Sequence, residues 1–361
     1  MRFSLTSPML TSDLHYDLPA ERIAQAPADR RDDSRLLLHN RSTGETTHHH
    51  FRDLPDLLPD NTRIFRNDVS VLKARLPGQR PGGGKVECLL LRSADSSANI
   101  WRCLLKPGGK AAKAGAFSLP GEYEATVQEV LPTGEYIVRF ELPNDPDVSA
   151  LAGRLGSMPL PPYVKRPADS ADDQRYQTVY ADPAKRTAAA APTAGLHFTS
   201  ELLKQLESRG HPIHDLTLSV GLGTFRPIET EHLEDHPMHA EAYLLPPATK
   251  AALLESGSPR LAVGTTTVRA VEHYLAQGDD PEPDSPTLAE ADLFIRPPHF
   301  FLGVDGLLTN FHLPESSLLC LVASFLSPKI EDGLPLLKTL YLEALEKDYR
   351  FYSYGDAMLL L

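Results

Sequence analysis

The sequence predicts an α/β fold in which a discontinuous α/β domain carries a small inserted β-barrel domain. The chain has 361 residues, which is more than one typical domain needs. Between residues 69 and 142, short strand patterns follow one another and glycine-rich turns separate them, as in small barrels. Beyond residue 157, strand and helix patterns alternate, which indicates an α/β domain. We therefore expect residues 1–68 and 157–361 to form the α/β domain and residues 69–156 the barrel.

The first two segments contain most of the predicted strands. Ser34–His39 and Glu45–Phe51 are typical of a strand pair joined by a turn at Arg41–Gly44, and Asp53–Leu58 predicts a short helix. The barrel strands are expected at Val71–Leu76, Lys85–Arg92, Asn99–Lys106, Glu122–Leu131 and Glu135–Leu142, with turns at Pro81–Gly84, Pro107–Gly109 and Thr133-Gly134.

The last segment predicts three strands and four helices. Gly210 and Gly278 are typical helix stops and fix two of the helix ends. The strands are expected at Ile213–Val220, Arg260–Val263 and Leu293–Ile295. The helices are expected at Glu201–Arg209, Thr266–Ala276, Ser317–Phe325 and Leu336–Lys347.

Composition indicates a soluble globular protein, with 41% apolar and 23% charged residues. The amino terminus has no basic segment followed by an apolar stretch, and the apolar run at Leu318–Leu326 is too short to span a bilayer. Cys88, Cys103 and Cys320 are odd in number and lack metal-site spacing, which fits a reducing compartment. We expect a cytoplasmic protein without a membrane part.

Charge is unevenly distributed along the chain. The net charge is −12, yet residues 61–113 hold 11 Lys or Arg against three Asp or Glu, a local charge of about +8. Screening limits repulsion by the acidic remainder to roughly 10 Å, so this stretch can still bind phosphates. Solvated strand faces are the alternative explanation.

Five short loops rich in Gly, Thr, His and Pro lie beside apolar runs, an arrangement typical of sites carried by a rigid scaffold. They are Ala191–Thr199, Gly221–Pro227, His236–Glu241, Gly264–Arg269 and Thr309–Pro314.

Each loop has a functional and a structural interpretation. Thr265–Thr267 with Arg269 start a predicted helix and can bind an anion, or they simply cap it. His236, His239 and Glu241 suggest metal ligands, but Pro237 argues against a helix that would align them, and a His–Glu pair for proton transfer is the alternative. Buried loop histidines and amides satisfy backbone groups as often as they catalyse. The choice between a structural and a catalytic role therefore stays open for His197, His312 and Asn310.

The segments together resemble the S-adenosylmethionine:tRNA ribosyltransferase-isomerase family of queuosine biosynthesis, almost from end to end. The matching segments are Asp17–Pro19, Ile23–Gln25, Asp33–Leu36, Phe51–Leu54, Gly84–Glu87, Pro159–Tyr163, Tyr176–Ala181, the five loops and Tyr349–Met358. The resemblance implies an α/β domain with an inserted barrel. It also implies that the ribosyl part of S-adenosylmethionine is transferred to 7-aminomethyl-7-deazaguanine at the tRNA wobble position and isomerised to epoxyqueuosine, releasing adenine and methionine. S-adenosylmethionine is then a consumed substrate, and no cofactor or metal is expected.

This reaction suggests roles for the loop residues. Proton removal beside the sulfonium or from the acceptor amine fits His239 with Glu241, or His312, and His197 is a further catalytic candidate. Arg226 and the threonine turn can hold the methionine carboxylate or tRNA phosphates. The candidate substrate-binding residues are Arg226, Thr265, Thr266, Thr267, Arg269, Asn310, Arg75, Lys106, Lys110 and Asp356.

Two departures from the family pattern keep other functions open. The family usually has Asn-Asn-Thr-Arg-Val where this chain has Asn67–Val71, and Gly-Ser where it has Thr187-Ala188. A tRNA-binding protein without catalysis is therefore one alternative. A metal-dependent hydrolase is a second alternative, which rests on His236, His239 and Glu241 rather than on the departures. We expect a monomer.

Overall fold

The fold was examined in a computed structural model, which describes residues 9–95, 98–221, 228–238, 240–327 and 333–361. Internal contacts divide the chain into two compact units. The α/β unit comprises Met1–Asp68, Pro192–Leu218 and Gly223–Leu361, and the barrel unit comprises Val69–Ala191 and Ser219–Leu222. Arg226 and His239, two of the predicted site residues, lie outside the described residues.

The strands are β1 (Arg35–His39), β2 (Thr46–His50), β3 (Arg63–Asn67), β4 (Ser70–Val71), β5 (Arg75–Gln79), β6 (Lys85–Ser93), β7 (Ile100–Lys106), β8 (Ala116–Leu119), β9 (Tyr123–Val130), β10 (Tyr136–Glu141), β11 (Arg186–Ala188), β12 (Ile213–Leu218), β13 (Glu241–Leu245), β14 (Arg260–Val263), β15 (Thr287–Ala291), β16 (Gly306–Asn310) and β17 (Ala357–Leu360). The helices are α1 (Leu54–Leu57), α2 (Gly108–Ala114), α3 (Val148–Leu155), α4 (Asp172–Arg175), α5 (Ser200–Ser208), α6 (Pro247–Leu254), α7 (Thr265–Ala276), α8 (Ser317–Leu326) and α9 (Gly333–Glu346). A 3₁₀ turn at Thr193–His197 also matters below.

The α/β unit contains a nine-stranded sheet in the order β15-β13-β12-β3-β14-β16-β17-β1-β2. Strands β12, β3, β14 and β16 run parallel, with Phe65 of β3 opposite both His214 and Ala262. All five residues of β16 are buried, as expected of a central strand covered on both faces. Helix α8 is buried along nearly its whole length and supplies apolar surface to the same core.

The barrel unit contains a closed six-stranded barrel in the order β10-β7-β6-β5-β8-β9. Its interior is filled by aromatic and small side chains, including Phe117, Tyr123 and Phe140, all almost completely buried. Gly78 of β5 is required there, because a Cβ at this position would lie 2.9 Å from the Tyr123 hydroxyl and 3.0 Å from the Phe117 ring. The predicted fold class, an α/β domain with an inserted small barrel, is confirmed.

The division by contacts differs from the expected boundary after residue 156, because residues 157–191 group with the barrel unit. Strand β11 pairs with β4, and Ser157 forms an antiparallel bridge with Arg75 of β5. Both pairings tie the connecting segment to the barrel through backbone hydrogen bonds.

Two predicted strands are wrong. Val71–Leu76 is split between β4 and β5, and Leu293–Ile295 is not a strand, while Thr287–Ala291 upstream of it is. In the described ranges, no helix combines the length and the apolar character needed to cross a membrane.

Candidate active site

Polar loops of the α/β unit converge at one edge of its sheet. Since β3, β12, β14 and β16 are parallel, their carboxyl ends lie at the same edge, which is where open α/β sheets usually bind ligands. Asn67 ends β3, Gly264 follows β14 and Asn310 ends β16. Strand β13 runs antiparallel to β12, so Glu241 at its start reaches this edge as well.

A buried hydrogen-bond network joins the Thr193–His197 turn, Asn310 at the end of β16 and Ser34 just before β1. This network determines the tautomer of His197. The Thr193 hydroxyl donates to Asn310 Oδ1 over 2.7 Å, so the Asn310 amide nitrogen faces His197 Nε2 at 3.2 Å as a donor. His197 Nε2 is therefore the acceptor, and its Nδ1–H donates to Ser34 Oγ over 2.8 Å. Both ring nitrogens of His197 are thus engaged inside the protein.

The same burial keeps His197 neutral. Desolvation, together with the positive charges of Arg350 and Arg31, lowers the pKa of His197 to about 3. A neutral imidazole with two bonded nitrogens is suited to orienting Asn310 rather than to shuttling protons at neutral pH. Phe51 packs on the ring at a centroid distance of 5.1 Å and fixes its plane.

His312 is held in a comparable way just beyond β16. Its Nε2 lies 2.8 Å from the Thr309 hydroxyl, and its backbone N–H donates to the Tyr341 hydroxyl over 2.9 Å. The Tyr16 hydroxyl donates to its carbonyl oxygen. Burial lowers the pKa of His312 to about 3, so this histidine is also neutral at physiological pH.

The start of α7 resembles an anion site. Gly264 precedes the helix with φ +88°, a conformation that favours glycine, and it supplies no side-chain cap. Helix starts leave backbone N–H groups without intrahelical partners and carry a partial positive charge. Thr267 Oγ1 donates to the Val263 carbonyl over 2.7 Å, whereas the buried Thr266 hydroxyl has no hydrogen-bond partner among the described residues. One hydroxyl and the helix start therefore point to an acceptor that the described chain does not provide.

Glu241 and Arg269 form a buried ion pair at the same edge. Arg269 Nη1 lies 2.5 Å from Glu241 Oε2, its Nη2 donates to the Ala291 carbonyl over 2.9 Å, and its Nε donates to the Leu293 carbonyl over 3.3 Å. Both side chains are more than nine-tenths buried. The pair borders a small cleft that is partly open to solvent, and the cleft is lined by His236, Met238, Glu241, Arg269, Leu293, Phe294, Ile295, Ser317, Leu318 and Leu321.

The altered Asn67–Val71 segment has internal partners. Asn67 bonds the backbone of Leu218 with both amide atoms, at 2.9 and 3.0 Å, and Thr217 Oγ1 donates to Asp68 Oδ1 over 2.7 Å. Asn67 and Asp68 therefore connect the ends of β3 and β12. This arrangement accommodates the carboxylate that the family pattern lacks.

Asp356 and Arg75, two further predicted substrate ligands, have partners within the protein. Asp356 accepts hydrogen bonds from the backbone N–H groups of Arg35 and Arg350, at 2.9 and 2.7 Å, which favours a structural role. Arg75 belongs to the barrel unit, where it pairs with Glu87 at 2.7 Å and donates to the Leu160 carbonyl.

The basic stretch of residues 61–113 is less cationic than its sequence indicates. Ion pairs link Arg63 to Glu255, Arg66 to Asp215, Lys73 to Asp173, Arg75 to Glu87 and Arg102 to Glu135. Lys106 and Lys110 of the barrel unit are exposed.

Sequence reasoning did not identify Ser34, Thr193 or Tyr341, which position the two histidines. Ser34 and Thr193 belong to segments that match the family pattern, and this signal was available in the sequence. Within the described ranges, no group of three or more His, Cys, Asp or Glu residues is arranged to hold a metal ion.

Comparison with known proteins identifies the family. A sequence profile described as "Queuosine biosynthesis protein" matches residues 11–360, almost the whole chain. The chain belongs to this family. Curated relatives named S-adenosylmethionine:tRNA ribosyltransferase-isomerase include the Acetivibrio thermocellus protein, 42% identical over 359 residues, with 97% of this chain and 99% of the relative covered. The Pelobacter propionicus protein is 43% identical over 353 residues, with the same coverage.

A solved structure of the family has the same fold. The S-adenosylmethionine tRNA ribosyltransferase of Thermotoga maritima is 32% identical to this chain and superposes with a TM-score of 0.54. The comparison covers 97% of this chain and 100% of the Thermotoga chain. The resemblance seen in the sequence is therefore confirmed for both family and fold.

Proposed function

We propose that this chain transfers and isomerises the ribosyl group of S-adenosylmethionine onto 7-aminomethyl-7-deazaguanine at the wobble position of tRNA. Epoxyqueuosine in tRNA, adenine and methionine are the products. The main support is the family match over residues 11–360, since relatives with this reaction in their names align along almost the whole chain. The polar loops at the carboxyl edge of the sheet supply a site of suitable chemistry.

The start of α7 is the proposed site for the methionyl carboxylate of S-adenosylmethionine. Thr265 and Thr266 are buried, so the position suits a small ligand better than the backbone of a large polyanion. The helix dipole and free N–H groups favour a carboxylate there, and the Thr266 hydroxyl can donate to it. S-adenosylmethionine is consumed in this reaction, and we propose no resident cofactor or metal.

Deprotonation beside the sulfonium and at the acceptor amine needs a base. Both ring nitrogens of the neutral His197 and Nε2 of the neutral His312 are engaged by neighbouring side chains, so we assign the two histidines positioning roles toward Asn310 and the β16 loop. The pairing of His239 with Glu241 as a base stays a prediction. Arg226 likewise stays a predicted anion ligand.

The tRNA is proposed to contact exposed lysines of the barrel unit, Lys106 and Lys110, through its phosphates. Unstacking of the wobble base then presents it to an active site, as in other enzymes that modify bases. A cytoplasmic monomer is the proposed working form.

The test of this function is incubation of the purified protein with S-adenosylmethionine and tRNA that carries 7-aminomethyl-7-deazaguanine. We expect adenine and methionine release in equal amounts and an epoxyqueuosine nucleoside in the digested tRNA, measured by mass analysis. tRNA with unmodified guanine at the wobble position is the control. A protein that binds the modified tRNA but releases no adenine is a non-catalytic homologue, and the proposal is then wrong.

A further inference from the structure

The backbone of Arg350 is fixed at the edge of the sheet where the polar loops converge. Strand β17 runs antiparallel to β16, with Ala357 opposite Asn310, so the start of β17 lies beside the end of β16. Asp356 directly precedes β17, and its carboxylate accepts from the Arg350 N–H over 2.7 Å. The Asp356 N–H donates in turn to the Arg350 carbonyl over 2.8 Å. Arg350 is therefore held at the rim of the candidate active site by two backbone contacts.

The side chain of Arg350 is much less constrained than its backbone. It is 36% exposed, and in the described part of the chain its guanidinium has one hydrogen-bond partner, Asp356 Oδ1, at a long 3.5 Å. The two Asp356 oxygens already accept from the backbone N–H groups of Arg35 and Arg350, at 2.9 and 2.7 Å. A guanidinium carries five N–H donors, so most of those on Arg350 have no partner among the described residues.

The electrostatic surroundings of Arg350 are positive on the side of His197. Two charged side chains, Arg350 and Arg31, act on the buried His197 ring, and both lower its pKa because both are cations. Arg31 donates to the Leu196 carbonyl over 2.9 Å, which anchors this second guanidinium to the same turn as His197. An anion that binds Arg350 at the rim is therefore also attracted by Arg31.

Other arginines of the α/β unit have closer carboxylate partners. Arg52 lies 2.6 Å from Asp33, and Arg63 lies 2.8 Å from Glu255. Ion pairs of this length use the charge and several of the donors inside the protein. A fixed backbone together with a half-open, loosely paired guanidinium instead suits Arg350 to an anion from outside the chain.

The exposure and the position of Arg350 favour a phosphate of tRNA over the carboxylate of S-adenosylmethionine. The proposed carboxylate site at the α7 start follows β14, and β16 lies between β14 and β17, so two strand spacings, about 10 Å, separate the two positions. A guanidinium fork matches a phosphate with two parallel hydrogen bonds, and at the rim it can reach a large polyanion. A base that leaves its stack and enters this edge brings its two flanking phosphates to the rim.

We propose that Arg350 binds one of the two phosphates that flank the wobble nucleotide of tRNA while the wobble base enters the site. This inference rests on the proposed function. It adds a phosphate contact beside the chemistry to the contacts proposed for the barrel lysines. The contact holds the wobble nucleotide at the sheet edge after its base has lost its stacking neighbours.

The first test uses the full-length protein and an anticodon stem-loop RNA that carries 7-aminomethyl-7-deazaguanine at the wobble position. Phosphates of the loop are replaced one at a time by neutral methylphosphonates, and binding is measured by calorimetry. We expect one flanking replacement to weaken binding to wild type about tenfold but binding to Arg350→Gln about twofold or less, because the variant has already lost the contact. Equal losses in the two proteins at every phosphate overturn the proposal. No loss at either flanking phosphate in wild type overturns it as well, and this result does not depend on any variant.

The matched control is Arg209→Gln, which removes one positive charge from a side chain that is 42% exposed. Arg209 lies near the amino end of β12, at the opposite edge of the sheet, where it pairs with Asp56. Arg350→Gln should lower the slope of log affinity against log salt by about one, and Arg209→Gln should leave the slope unchanged. Equal changes in both variants would show a global electrostatic effect and would overturn the assignment.

Steady-state kinetics with the modified tRNA separate phosphate binding from other roles of Arg350. Arg350→Gln should raise KM for tRNA about tenfold and change kcat and KM for S-adenosylmethionine little. Arg350→Lys keeps the charge without the fork and should raise KM for tRNA by a smaller factor. A rise in KM for S-adenosylmethionine alone assigns Arg350 to the methionyl carboxylate, and a fall in kcat alone assigns it to the reaction; either overturns the inference. Turnover by wild type without a sensitive flanking phosphate refutes only the inference, whereas a sensitive phosphate without turnover refutes the proposed function.

Discussion

Thr266 is the residue with the clearest unsatisfied hydrogen-bonding capacity at the sheet edge. Its hydroxyl is buried without a partner in the described part of the chain, and such a group costs roughly 1–3 kcal/mol of folding free energy. Thr266→Val keeps the shape and removes this cost. We therefore expect an unchanged or higher free energy of unfolding, together with a KM for S-adenosylmethionine raised about tenfold. Denaturant unfolding and steady-state kinetics measure the two effects.

Two comparisons distinguish the loss of a carboxylate contact at Thr266 from a general effect of replacing threonine by valine. Thr339→Val makes the same change on the exposed surface of α9, where the hydroxyl bonds the Pro335 carbonyl, and should leave KM unchanged. Decarboxylated S-adenosylmethionine should be a poorer ligand than S-adenosylmethionine for wild type but not for Thr266→Val. If Thr266→Val instead raises KM only for tRNA, the α7 start binds a phosphate.

Individual residues show why the site was only partly predictable. Asn310, His197 and the α7 threonines were all predicted, because their loops are rich in polar residues beside apolar runs. The role of His197 was not predictable, since its partners Asn310 and Ser34 are 113 and 163 residues away in sequence. Asp356 was predicted as a substrate ligand, yet its oxygens bond two backbone amides. Local sequence identifies a polar residue, but only the fold determines its partners.

At the scale of elements, strands with a regular alternation of side chains were predicted well, and the wrong strand predictions have physical causes. Strands β6, β7, β9 and β10 match their predicted ranges to within one or two residues, because alternating side chains and glycine turns mark them. The apolar run Leu293–Ile295 was assigned to a strand, but its side chains line the cleft beside the Glu241–Arg269 pair. The real strand β15 was missed because it lies at the sheet edge, where Leu288 is 76% exposed. An apolar run can line a cleft as readily as it forms a core strand.

Helix α2 and the end of β7 provide a test of tRNA binding at the element scale. Lys106 and Lys110 are exposed there, whereas several other cations of residues 61–113 are ion-paired. Reversing both charges should weaken tRNA binding at low salt. It should also lower the slope of log affinity against log salt by about two, since each lost phosphate contact lowers it by about one. Titrations at several salt concentrations give both values.

The control for this prediction is reversal of two exposed lysines of the α/β unit, Lys204 and Lys347. The net charge changes by the same amount, so a purely global electrostatic effect would be equal in both variants. We expect the slope to fall only for the Lys106 and Lys110 variant. An unchanged slope in that variant rules out this surface as the phosphate contact.

At the scale of the whole molecule, the sheet of the α/β unit is assembled from segments that lie before and after the inserted barrel in the sequence. Segments from the first 68 residues and from the last 170 meet in adjacent strands, so β3, β14 and β16 present their ends together. The family match runs along the same length. A site made from distant segments therefore depends on the complete sheet.

The two buried histidines should make the stability of the α/β unit sensitive to acid. His197 and His312 titrate near pH 3 when folded and near 6.5 when unfolded. Above pH 6.5 both states are neutral and stability is complete. Below it the unfolded state binds protons that the folded state does not, so stability falls as the pH falls toward 3. Each histidine contributes a slope of about 1.4 kcal/mol per pH unit within this window.

Denaturant unfolding at pH 7 and pH 5 measures this loss. His312→Gln retains a hydrogen-bonding group without the titration, so it should start less stable at pH 7 but lose about 2 kcal/mol less than wild type between the two pH values. His50→Gln, at an exposed position, should lose as much as wild type. An acid loss that is the same in His312→Gln and wild type would mean that the His312 ring takes up its proton in the folded state. The site would then contain an accessible imidazole base, and the positioning role assigned to His312 would be wrong.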